Sequence, residues 1–412
     1  MDFLQFLDSA VTPYHTVFQL KSAFLGAGYA QNEIFERNGA LVVVRRPRNI
    51  SEKSRFRIAL AHTDFPALKV APNPDKVCAG VNKLHVETYG GLLYTSWLDR
   101  DLGYAGMLAF EREGLVQTRL VRGSKLFRIP QLAIHLNRGV NQDGLKVNPQ
   151  TDLDVLWSSA MAGTDKLSNG FLDVLRGELG AGERLLDFDV QLFDAQSANK
   201  GGFNDEWIYS GRLDNLSSCH AIAEAMLAAL PLEDDFMIGA FMNNEEVGSV
   251  TRDGAGGNFL KATLEELWNE PSCRKLRESV CLSRLLAESM ALSIDMAHAE
   301  HPNFSQKHEP NHAPLLGNGV VLKTNSQKRY ASDLLSSARF KLLCEKAGVA
   351  SQTFVTRNDM PCGSTVGPTI SAELGIPTVD IGEPMLSMHS IREMMAVKDH
   401  DDMIKLVKTF YI

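Results

Sequence analysis

Phe236-Met237-Ile238-Gly239-Ala240-Phe241-Met242, followed at once by Asn243-Asn244-Glu245-Glu246, is the stretch that decides the fold. The apolar run reads as a strand of an α/β sheet, and the two carboxylates fall at its carboxyl end. Open α/β sheets bind ligands in the crevice beyond those ends. A chain leaving a strand can turn both carboxylates toward that crevice, although successive residues within the strand point to opposite faces. One Glu can then hold a metal ion while the other moves protons. Alone, the pair would be a solvated turn, since Glu is usually exposed.

It has company. Arg57-Ile58-Ala59-Leu60-Ala61 runs into His62-Thr63-Asp64, Met290-Ala291-Leu292-Ser293-Ile294 into Asp295, and Pro377-Thr378-Val379-Asp380-Ile381 leads to Ser387-Met388-His389. Arg212-Leu213-Asp214-Asn215 precedes a stretch, residues 216–230, whose apolar residues recur at helical spacing. His62, Asp214, Glu246, Asp295 and His389 supply two imidazoles and three carboxylates, more than one zinc ion needs and suited to two. If Asp214 bridges, His62, Asp214 and Asp295 hold one ion and Asp214, Glu246 and His389 the other, with an open position on each. The charge then comes near neutrality: four positive charges, three carboxylates and one bridging hydroxide. Glu245 is the expected general base, acting on the metal-bridging water and passing the proton to a leaving amine. Asp64 is expected to accept a hydrogen bond from the far ring nitrogen of His62 and so orient it. Ligand type does not separate zinc from cobalt or manganese.

The chain resembles the M18 family of metallo-aminopeptidases, the aspartyl aminopeptidase group. The resemblance runs from Thr12-Pro13-Tyr14-His15 through Ala61-His62-Thr63-Asp64, Trp97-Leu98-Asp99-Arg100-Asp101-Leu102 and Ile134-His135-Leu136-Asn137-Arg138. It continues through Arg212-Leu213-Asp214-Asn215, Asn244-Glu245-Glu246-Val247-Gly248-Ser249, Asp295-Met296-Ala297-His298-Ala299 and Gln327-Lys328-Arg329-Tyr330-Ala331. Asp359-Met360-Pro361-Cys362-Gly363-Ser364-Thr365 and Met388-His389-Ser390-Ile391-Arg392-Glu393 complete it. The resemblance implies a three-layer α/β sandwich catalytic domain of the zinc-peptidase type. It implies an exopeptidase releasing N-terminal residues, usually Asp or Glu, from short peptides with two divalent ions, and the same five ligands. It also implies substrate-side roles for Lys323, His301, His308 and Tyr330, and for His135 a reach into the neighbouring subunit's active site. Some members prefer neutral residues such as Leu. Lys323 is the expected cation for an acidic side chain, which could not enter an unpaired dry pocket without losing several kcal/mol of solvation.

Because His62 and Asp214 must meet although so much chain intervenes, residues 72–202, with their short β-rich pieces, read as a domain inserted in a catalytic domain built from 1–71 and 203–412. By resemblance the insert is a dimerisation domain, and dimers assemble into a dodecamer. Residues 252–258 read as a mobile loop beside the Glu pair. Thr12-Pro13 reads as a helix start, with Gly26 and Gly28 at its end.

A net charge of −8 over 412 residues weighs against nucleic-acid and anionic-membrane partners. No apolar run approaches the roughly 20 residues of a membrane span, and no export signal is expected from Met1-Asp2-Phe3-Leu4, where no basic segment precedes an apolar stretch. Six dispersed cysteines form no disulfide framework. A cytoplasmic protein is the expectation. Two competing readings keep the same core: a deacylase of N-acyl compounds, and an inactive scaffold.

Overall fold

The computed structural model describes residues 1–160 and 170–412. The chain forms two compact units, one of Met1–Phe65, Ala198–Met388 and Glu393–Ile412, the other of Pro66–Ser197 with His389–Arg392. The division at Pro66 falls before the expected residue 72, because the Ala67–Cys78 strand pairs with Val81–Tyr89 from its first residue. His389–Arg392 groups with the second unit: Ile391 is in its apolar core, and Arg392 lies 3.4 Å from Asp194.

The first unit is built on an eight-stranded mixed sheet. Its centre is parallel: Phe236–Met242 and Met290–Ile294 flank Phe56–His62, and Thr378–Gly382 follows Met290–Ile294. Val320–Lys323 turns antiparallel beyond Thr378–Gly382 and pairs in parallel with Ser351–Phe354. On the opposite side lies the hairpin of Ile34–Arg37 and Ala40–Arg45.

Every residue of Phe236–Met242 is buried. The pleat explains why all seven can be apolar. Met237 and Phe241 enter one core with helices Leu213–Ala228 and Val397–Phe410, whereas Phe236, Ile238, Ala240 and Met242 enter a second core with helices Phe259–Asn269 and Val366–Leu374. The expected α/β class is therefore what the structure has.

Local signals act as read. Thr12 caps helix Pro13–Gly26, its Oγ1 accepting from the His15 backbone at 3.2 Å, and Pro13 takes the first position, where its missing N–H costs nothing. Gly382 is demanded by close approach: a Cβ there would lie 1.9 Å from the Asp295 carbonyl oxygen.

The second unit carries a six-stranded antiparallel sheet ordered Leu115–Arg122, Leu102–Arg112, Arg184–Asp194, Ala67–Cys78, Val81–Tyr89, Val155–Ser159. Between Leu115–Arg122 and Val155–Ser159, Phe127 and Arg128 make isolated bridges, to Leu102 and Leu156.

Among the described residues, no helix is long and apolar enough to cross a membrane. The six cysteines are free.

Candidate metal centre

The site residues of the first unit sit where its parallel strands end. His62 is the last residue of Phe56–His62 and pairs in register with Met242, so the Asn243-Asn244-Glu245-Glu246 turn begins beside it. Asp295 follows directly on Met290–Ile294. Asp214 lies at the start of the Leu213–Ala228 helix, in a non-helical kink (φ −80°, ψ 104°) that follows left-handed Arg212, and its backbone N–H donates to Glu393 Oε2 at 3.2 Å.

His62, Asp214 and Asp295 are buried, and one donor atom from each lies within 4.8 Å of the others; donor atoms of His62 and the half-buried Glu245 and Glu246 lie within the same distance of one another. His62 Nε2 is 3.4 Å from Asp214 Oδ1, 3.7 Å from Asp295 Oδ1 and 4.0 Å from Glu245 Oε2. His62 Nδ1 donates to the Asp64 backbone carbonyl at 2.9 Å, an arrangement that leaves Nε2 directed at the carboxylates.

Asp64 does more than the expected orienting of His62. Its carboxylate is 3.4 Å from His62 Nδ1, but it accepts the backbone N–H of Glu245 through Oδ1 and of Glu246 through Oδ2, each at 3.1 Å. The residue two positions after His62 thus clamps the turn bearing Glu245 and Glu246. Asp64→Asn removes one of two charge-assisted acceptors, and kcat is expected to fall about 10- to 100-fold, the usual cost of losing a group that supports a metal site. Steady-state kinetics beside a metal-content measurement check this; unchanged kcat would contradict it.

The electrostatics test whether these residues suit a cation. Burial alone would lower the His62 imidazole, but hydrogen bonding to Asp214, Asp295 and Asp64 raises it well above its ordinary range. Burial, with the charges of Asp295, Glu246 and Asp64 adding to it, pushes Glu245 up to about 8. Both shifts mark surplus negative charge in a desolvated cluster, which divalent cations would neutralise. The mixed imidazole and carboxylate donors fit zinc.

Lys323, at the end of its strand, is buried rather than a surface lysine. Its Nζ donates to the Met296 carbonyl at 2.9 Å, lies 3.4 Å from Asp295 Oδ2 and sits over the Tyr330 ring, 5.2 Å from the centroid. Beside buried Tyr330 is a cavity of about 190 Å³ lined by His298, Lys307, His308, Phe354 and Arg357 among others. His308 Nε2 accepts from the His301 backbone at 3.0 Å, so these two histidines support one another. His135 and His389 belong to the second unit. His135 is exposed in the turn Ile134–Leu136, and His389, in the left-handed region at φ +66°, places Nδ1 3.0 Å from the Gly91 carbonyl oxygen.

Two neighbours of this cluster carry no signal in the sequence. Buried Asn215 donates to Asp295 Oδ1 at 2.7 Å, and Glu393 accepts from Asp214 as above. Each stood in a quoted motif, but nothing in spacing signals such contacts. The 252–258 segment, expected to be mobile, is tied down: the Asn243 N–H donates to the Asp253 carbonyl at 3.2 Å, and Asn38 Nδ2 to Asp253 Oδ2 at 2.9 Å.

A sheet whose strand ends converge buried His and carboxylate donors defines a metal-dependent hydrolase class. The family described as aminopeptidase I zinc metalloprotease (M18) matches residues 6–411. A probable M18 family aminopeptidase 2 of Pseudomonas aeruginosa (strain UCBPP-PA14) is 38% identical over 425 residues, covering 99% of this chain and 96% of that protein. A chain in the cryo-EM structure of the Ape4 and Nbr1 complex superposes with a TM-score of 0.92 at 33% identity, covering 100% of this chain and 84% of that one. The mApe1 dodecamer of S. cerevisiae gives a TM-score of 0.82 at 25% identity over 99% of this chain and 95% of that one. The chain belongs to the M18 family of zinc metallo-aminopeptidases.

Proposed function

We propose that this enzyme releases N-terminal residues, Asp and Glu before others, from short peptides. The observation that carries the reading is the buried meeting of His62, Asp214 and Asp295 with Glu245 at its edge. His62, Asp214 and Asp295 would hold one ion, and Glu246 and His389 would join Asp214 as ligands of a second. Bound there, the ions supply Lewis acidity, which acidifies a bound water and polarises a carbonyl. Glu245, at the edge of the cluster, would take a proton from the attacking water and return it to the departing amine. Asp64 keeps Glu245 in place through the backbone N–H bonds, and Asn215 and Glu393 orient Asp295 and Asp214.

The cavity beside Tyr330 receives the substrate's first side chain. Its Lys307 and Arg357, with Lys323 buried beside Asp295, give an acidic side chain the cations it needs when it leaves water, and His308 adds a neutral imidazole to the wall. His301 supports this wall through His308. The chain self-associates, as the dodecameric relative does, with residues 66–197 serving dimerisation and His135 exposed for a role across subunits.

The test is a comparison of matched Asp, Glu, Leu and Ala p-nitroanilides in the wild-type enzyme and in Lys323→Met. The wild type should favour Asp and Glu, and the variant should lose that preference by about tenfold or more, the cost of a lost charged hydrogen bond. A wild-type preference for Leu or Ala would keep the peptidase and discard the acidic pocket.

A further inference from the structure

We infer that Asp380 is a positioning residue for substrate: one buried carboxylate ties together the two loops that wall the cavity beside Tyr330 and faces Lys323, an inference that rests on the reading of that cavity as the side-chain pocket. Asp380 lies in the Thr378–Gly382 strand and is 0% exposed. A carboxylate this deep is tolerated only where it is paired and hydrogen-bonded. Its partners come from both sides of the cavity. Oδ2 accepts the N–H of Ala331, the residue after Tyr330, at 2.5 Å. Oδ1 accepts the Thr365 hydroxyl at 2.7 Å, and Thr365 closes the loop whose Met360, Pro361 and Gly363 line the cavity. The Asp380 N–H in turn donates to Ser332 Oγ at 2.9 Å.

The opposite strand carries the charge. Val321 pairs with Gly382 and Leu322 with Ile381, so the antiparallel register continues to bring Lys323 beside Asp380 on one face. The two interact electrostatically, and Lys323 also lies 3.4 Å from Asp295. Asp380 therefore links pocket wall, buried cation and a proposed metal ligand without touching the substrate. Gly367 shows how closely the carboxylate is held: a Cβ there would meet Oδ1 at 2.5 Å and Oδ2 at 2.6 Å, and its three nearest atoms all belong to Asp380. A methyl group at 367 thus pushes on the same carboxylate from the other side.

The experiment uses the full chain reconstituted with zinc and the aminoacyl p-nitroanilide that the wild type cleaves best. Asp380→Asn and Gly367→Ala should each raise KM about tenfold while kcat moves less than about threefold, because the pocket shifts and the Glu245 centre does not. Gly367→Ala added to Asp380→Ser should raise KM no further than Asp380→Ser alone, since the carboxylate it collides with is gone. Unchanged KM with only a lower Tm would make Asp380 a structural residue and overturn the inference, as would a kcat loss at constant KM or additive effects in the double variant. Failure of the underlying reading shows separately: the wild type would then make no distinction among Asp, Glu, Leu and Ala side chains.

Discussion

Glu245→Gln is expected to lower kcat by about three orders of magnitude, at the level attributed to a general acid–base residue, with metal content held at the wild-type value. Gln keeps the shape and leaves the backbone untouched, so the N–H of residue 245 still donates to Asp64 Oδ1. What disappears is a group able to take a proton and give it back. Glu245 lies outside the buried trio of His62, Asp214 and Asp295, so binding and proton transfer should separate in this variant. Metal analysis with kcat on an aminoacyl p-nitroanilide checks both halves. Turnover near wild type would remove Glu245 from the base role, and lost metal would make it a ligand.

Stripping the metal by chelation and dialysis should bring activity to background and lower Tm by several degrees; zinc, cobalt or manganese should restore both. Asp214 and Asp295 are buried, and Glu245 is held up to about 8 in the absence of a cation. Removing divalent charge leaves those carboxylates facing one another in a poorly solvated crevice. At a thousandfold excess over Kd, an ion bound only by the folded chain contributes about 4 kcal/mol. Calorimetry of stripped and reloaded protein measures this. A stripped protein with full activity and unchanged Tm would mean that the cluster serves neither catalysis nor stability through a metal.

Much of the cluster was legible because most of its residues follow apolar runs. His62, Glu245, Glu246 and Asp295 stand at the ends of strands that a linear reading finds, and the parallel register brings three of those ends together. The return of the chain to Asp214 after a separate unit was expected from the need for His62 and Asp214 to meet across so much intervening chain. Roles resting on distant hydrogen bonds were out of reach. Asp380 sits between Val379 and Ile381 in a run that reads only as a strand, and its partners Ala331 and Thr365 come from loops with no periodic signal. The second unit was also harder to read. In Leu115–Arg122 only Val121 is buried, so that edge strand shows little alternation, and the Leu102–Arg112 and Ala67–Cys78 strands went unanticipated.

The most direct test of the central claim is hydrolysis, by metal-reloaded enzyme, of one aminoacyl p-nitroanilide offered with its amine free and with its amine acetylated. Cleavage of the free-amine compound alone, lost on chelation, is the result expected of a metallo-aminopeptidase. Cleavage of the acetylated compound alone would point to a deacylase-type hydrolase, and cleavage of neither would contradict an active peptidase at this site.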